Sequence, residues 1–162
     1  MNLFGVLSEV YPTLLTGLTM TVKITILSLI IALVIGIFVC LMNISSNIVL
    51  RGIAKFYIWL IRGTPMLVQA FYFYFALPQL VQAVTGSQFR ITVFTASLVT
   101  LALNAGAYIS EIFRGSIESV NKGQMEAARS LGLSYAKSMQ KIILPQAVRI
   151  CCLLYTSPSP RD

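Results

Sequence analysis

Residues 24–42 read ITILSLIIALVIGIFVCLM, 19 residues without a charge. At 1.5 Å per residue a helix of this length spans roughly 28 Å, about the hydrocarbon thickness of a bilayer. The stretch reads as a transmembrane helix beginning near Gly17. Lys23 falls within its first turns and can reach back to the interface. Gly36 permits close contact with another helix, ordinary packing being the simpler reading.

Two further stretches repeat the pattern. Residues 66–84 and 91–110 hold 19 and 20 residues without a charge. In the second span, Pro78 is expected to kink the helix. The consecutive aromatics Phe71 to Phe75 point all round it, as packing and lipid contacts. Gln69 is a polar exception that faces the bundle interior. The whole chain is 57% hydrophobic and only 10% charged, against about 25% charged in a soluble domain. Composition alone makes it a membrane protein.

The connecting segments carry the charge. Met1 to Thr16 holds Glu9 and no Lys or Arg, unlike the basic start of a signal peptide. It reads as a short amphipathic segment on the outer face. Segment 43–64 contains Arg51, Lys55 and Arg62 beside Phe56, Tyr57 and Trp59, a mixture suited to a short helix along the membrane surface. Arg62 is read first as a headgroup anchor there, with a specific functional role as the alternative. Thr64-Pro65 reads as an N-cap followed by proline at the first helical position. Residues 85–90 form a short turn. Segments 43–64 and 114–149 carry 3 and 6 Lys/Arg, against none before the first span and Arg90 alone in the turn. The positive-inside rule then puts the N-terminus outside and both charged loops in the cytoplasm.

The net charge of +7 does not point to nucleic acid, because the basic residues form no patch with interleaved aromatics. The absence of histidine excludes His-based catalysis, and Cys40, Cys151 and Cys152 have no metal-ligand spacing. Cys40, in an apolar run, is a small packing residue. Asn104, Tyr108 and Glu111 in the third span are spaced by four and three and share one helix face. A carboxylate near the bilayer must face protein or water. Either this face lines a translocation path, or Glu111 sits at the interface paired with Arg114 or Arg62.

One polar, basic island remains: Glu126–Pro145, EAARSLGLSYAKSMQKIILP. Asn121 is a good N-cap with Gln124 at capping-box spacing. Gly132 sits where a helix ends in a left-handed residue. Ser134 caps a second helix, Tyr135 to Ile143, and Pro145 marks a change of direction. The adjacent alanines Ala127 and Ala128 leave room for another protein's surface, and Glu126 offers it a charge.

The spacing EAA-x3-G-x9-I-x-L-P resembles the cytoplasmic loop of permease subunits of bacterial ABC importers. Arg62-Gly63-Thr64-Pro65-Met66-Leu67-Val68-Gln69 and Leu103 to Gly115 (LNAGAYISEIFRG) resemble the polar amino acid branch. The likeness runs from about Gly17 to Ile150. It implies an all-α, polytopic membrane helical bundle with three spans present of about five expected, and a cytoplasmic coupling-helix loop. It implies a multi-pass protein of the bacterial inner membrane, with an ATP-binding-cassette ATPase subunit, a second permease subunit (identical or homologous) and an extracytoplasmic amino-acid-binding protein as partners. Glu126, Ala127, Ala128, Gly132, Ile142, Leu144 and Pro145 would dock the ATPase; Asn104, Tyr108 and Glu111 would line the path. No cofactor is implied, and ATP hydrolysis falls to the partner, since the chain has no Gly-rich phosphate loop with a lysine.

Residues 1–150 are thus expected to be one transmembrane domain, C-terminally incomplete. Residues 151–162, where the likeness stops, are expected to be a non-native tail. The alternative is a truncated, non-transporting fragment or a membrane scaffold subunit. A pore without an ATPase would have no use for the EAA spacing, and a membrane enzyme lacks a catalytic constellation.

Overall fold

The computed structural model describes residues 3–154, and all the regular structure in them is helical. Residues 155–162, most of the segment expected to be foreign, lie outside the described residues. Three helical stretches have the length and apolarity to cross a membrane: Val10–Ile44, Met66–Thr85 and Val93–Glu118.

Helix α1 is Leu3–Ile44, 42 residues without a break. The separate N-terminal segment expected from the sequence is therefore part of the first span's helix. Four of its threonines satisfy their hydroxyls within the helix. Thr16, Thr19, Thr21 and Thr25 each donate the hydroxyl to the carbonyl four residues back, at 2.8–2.9 Å. A hydroxyl bonded within its own helix can face lipid.

Helix α2, Ile48–Gly63, begins at Asn47, whose side chain accepts from the Val49 amide at 2.9 Å. It buries Ala54, Ile58 and Ile61 and leaves Ile53, Phe56 and Trp59 exposed. The next span is assembled from α3 (Met66–Phe71), a π-helical turn (Tyr72–Ala76) and α4 (Leu77–Thr85). The wide turn explains Pro78. Leu77 N–H reaches back to Tyr72 O, and the proline that follows enters a turn already opened up. A standard α-turn would set its ring against the carbonyl four residues earlier.

The same device recurs around Pro145. After α7 (Tyr135–Ser138) comes a second π turn, Met139–Ile143, and then α8, Leu144–Leu154. Leu144 N–H bonds to Met139 O. The change of direction expected at Pro145 does not occur; the chain stays helical because the π turn accommodates the missing N–H.

Helix α5, Val93–Glu118, starts at Thr92, whose hydroxyl accepts from the Thr95 amide. It is the packing partner of α1. A methyl built on Gly36 would lie 2.5 Å from Ile109 Cγ2, and one on Gly106 would lie 2.8 Å from Ile35 Cγ2. Neither glycine has room for a side chain, and Ala32, Ala102 and Ala107 around them are buried. Small residues bring the two backbones together where lipid offers no hydrophobic drive. Residue 36 meets 106–109 and residue 43 meets 111, so α1 and α5 run in the same direction. The span between them must therefore run the opposite way.

Candidate docking loop and charged hub

Helix α6, Lys122–Ser130, follows α5 after a short turn. Asn121 Oδ1 accepts from the Gly123 amide at 2.8 Å. Among the described residues Gln124 returns no side-chain bond, so only half of the expected capping box forms. The helix ends as its glycine predicts. Gly132 has φ +83°, its N–H bonds to Arg129 O at 3.0 Å, and the Leu133 N–H bonds to Ala128 O at 3.2 Å. This pair of bonds is a Schellman closure. Ser134 then caps α7, its hydroxyl accepting from the Lys137 amide.

A small apolar core fixes this loop to the end of the span. Val120, Ile143 and Ala147 are buried, with Ile117, Met125, Met139, Ile142 and Ile150 packed on them. This corrects the reading of the two alanines. Ala128 is only 2% exposed, while Glu126 and Ala127 face outward. Consecutive helical residues point about 100° apart, so a helix lying on its own chain cannot present both. Ile142 and Leu144 are half-buried, and only Pro145 of that trio is exposed. The open surface is Glu126, Ala127 and Gly132. Leu131 joins it at 84% exposed, although the sequence reading passed over it. The missed signal was an apolar residue off the Met125–Ala128 stripe, beside the terminating glycine.

Asn104, Tyr108 and Glu111 lie along one face of α5, as their spacing requires. Glu111 is the centre of a charged cluster. Arg114 grips it with two bonds, Nε to Oε1 at 3.0 Å and Nη2 to Oε2 at 3.1 Å. Arg114 also pairs with Glu118. Arg62 Nη1 approaches Glu111 Oε2 at 3.5 Å, and Asn43 Nδ2 approaches Oε1 at 3.5 Å. The Arg62 guanidinium also lies over the Tyr108 ring, 5.0 Å from its centroid. Arg62 thus meets Glu111 and Tyr108 while its side chain stays 41% exposed. Glu111 is thus paired with both Arg114 and Arg62, the partners that its second reading named. Asn104 is half-buried and makes no side-chain hydrogen bond among the described residues.

Two polar side chains secure α2 beside this hub. Tyr57 donates its hydroxyl to Leu103 O at 2.7 Å. Burial pushes this phenol up to about 12, so it stays a neutral donor. Gln69 is buried, and the two N–H groups of its Nε2 are shared among Ile61 O at 2.7 Å, Thr64 Oγ1 at 2.8 Å and Thr64 O at 3.1 Å. It satisfies carbonyls that the end of α2 leaves without partners. Thr64 thus closes α2, with its hydroxyl on Leu60 O, and Pro65 takes the N-cap position of α3, one residue later than expected.

Residues 32–151 match the family described as binding-protein-dependent transport system inner membrane component. The arginine transport system permease protein ArtQ of Bacillus subtilis is 44% identical over 85% of this chain and 60% of its own length. A putative glutamine transport system permease protein of Rickettsia typhi is 40% identical over 88% and 64%. The chain therefore spans about three fifths of the length of these relatives. Among solved structures, an amino acid ABC transporter crystallised with histidines superposes with a TM-score of 0.83. That match has 38% identity and covers 95% of this chain and 69% of the other.

Proposed function

This chain belongs to the family of binding-protein-dependent transport system inner membrane components, and from that membership we propose that it carries polar amino acids inward as the permease subunit of an ATP-driven importer. Its relatives in the family are amino-acid ABC permeases, and it is a multi-pass membrane protein. The observation that carries the finer reading is the surface of Glu126, Ala127, Leu131 and Gly132, held off the end of a membrane span by its own apolar core.

In this reading the surface lies in the cytoplasm and fits a groove on an ATP-binding-cassette ATPase. Ala127 lets the partner approach the backbone, Glu126 meets a basic or amide group, and Leu131 supplies an apolar anchor. Ala128, Ile142 and Leu144 act from behind, joining α6 to α5 and α8, while Pro145 stays exposed. A push on α6 then moves the end of α5, and with it Glu111 and the α2 helix that Arg62 ties to it. Repeated over a second permease subunit, this motion opens the path to one side and then the other. Asn104 and Tyr108 line that path, with Glu111 at its loop end. An extracytoplasmic binding protein delivers the amino acid. Arginine and glutamine, named for the relatives, are the first substrates to try.

The test is uptake of radiolabelled arginine and glutamine by proteoliposomes holding the permease pair and ATPase. Uptake should require both internal ATP and external binding protein. Uptake that needs neither contradicts the reading.

A further inference from the structure

A cleft of about 1110 Å³ opens between α2, the end of α5 and the α6 loop. Four cations line it: Arg51, Lys55, Arg114 and Lys122. Its two carboxylates, Glu111 and Glu118, are both engaged by Arg114. Among the described residues no carboxylate pairs with Arg51, Lys55 or Lys122. Arg51 is directed by bonds to Ser45 O and Ser46 O, at 3.3 and 3.5 Å. The cleft thus carries a net charge of +2, four cations against two carboxylates, and Arg51, Lys55 and Lys122 have no carboxylate partner among the described residues.

It is also half apolar, and it lies where the first and third spans end. Ile58 and Trp59 line it together with the cations. Trp59 is 69% exposed, and Ile53, Phe56 and Leu60 continue an uncovered apolar strip along the same helix. A free anion would satisfy the charges and leave this strip in water. An anionic phospholipid satisfies both, since its phosphate meets the cations and its acyl chains cover the strip. We propose that this cleft is a binding site for the headgroup of an anionic phospholipid such as phosphatidylglycerol. The proposal needs the chain to be a membrane component and does not depend on what it transports.

Trp59 is the chain's one tryptophan and reports occupancy directly. The chain is reconstituted in phosphatidylcholine bilayers carrying a low mole fraction of either brominated phosphatidylglycerol or brominated phosphatidylcholine. Brominated phosphatidylglycerol should quench Trp59 several-fold more at equal mole fraction. Neutralising the cations should weaken that preference stepwise, so Arg51→Gln/Lys55→Gln/Lys122→Gln should quench equally with both lipids. Lys55→Gln/Lys122→Gln keeps the Arg51 bonds and should show the intermediate loss. Lys137→Gln/Lys141→Gln, outside the cleft, should keep the full preference. Equal quenching of the unsubstituted chain by the two lipids overturns the proposal, as does a preference that survives the triple substitution. Loss of the preference on adding inorganic phosphate at constant ionic strength also overturns it, identifying a free-anion site.

Discussion

Arg62 and Glu111 are 49 residues apart in the sequence, yet Arg62 Nη1 lies 3.5 Å from Glu111 Oε2 while Arg114 holds the same carboxylate with two closer bonds. The relationship joins α2 to α5 at the end of the third span. Arg62 is the outer, weaker partner. A double-mutant cycle of Arg62→Gln and Glu111→Gln, read by thermal unfolding in detergent, should give a coupling below about 1 kcal/mol, as for a half-exposed pair. The matching cycle of Arg114→Gln and Glu111→Gln should give the larger coupling, because two aligned bonds are lost together. Equal couplings would mean that the two arginines share the carboxylate evenly.

The crossing of α1 and α5 leaves no room at Gly36 or Gly106. Gly36→Val and Gly106→Val should each destabilise by about 1–3 kcal/mol through overpacking. Gly17→Val, where an added Cβ meets nothing within 4 Å, serves as the control. Midpoints of unfolding in a denaturing detergent series check this; a Gly106→Val midpoint equal to that of Gly17→Val refutes it.

Gly132 closes α6 in the left-handed region. Gly132→Ala should weaken that closure by about 1–2 kcal/mol, and Gly132→Asn by less, since asparagine tolerates this conformation better. Hydrogen exchange at the amides of Gly132 and Leu133, donors in the closing bonds, should quicken in Gly132→Ala. Unchanged exchange there would contradict the assignment.

The charge asymmetry predicts the orientation. In a background with Cys40, Cys151 and Cys152 replaced by serine, Ser130→Cys should be protected from a membrane-impermeant maleimide in intact cells and label after permeabilisation. Ser87→Cys, after Gly86 at the end of α4, should label in intact cells. The opposite pattern inverts the topology.

The spans were legible in the sequence because uncharged runs of bilayer length have one physical reading. The end of α6 was legible because an αL closure calls for glycine, and Gly132 supplied it. The two π turns were not, since proline announces a disturbed helix without saying how the turn relaxes. Nor was the division of Ala127 from Ala128, because the motif gives spacing and only the packing of α6 through Met125 against Val120, Ile143 and Ala147 gives phase. The partner of Arg62 was left open for a related reason. A basic residue near an interface finds water, headgroup or carboxylate, and only the approach of α5 decides among them.

The central claim is that the exposed face of α6 docks the ATPase. The most direct measurement is co-purification of the ATPase subunit with the tagged chain from membranes, comparing the unsubstituted protein with Ala127→Trp. Ala127 faces outward, so the indole should leave the fold and membrane insertion intact while blocking the groove. The account predicts that the unsubstituted chain retains the ATPase and that Ala127→Trp loses it at equal membrane abundance. Retention of the ATPase by Ala127→Trp at the unsubstituted level would contradict it.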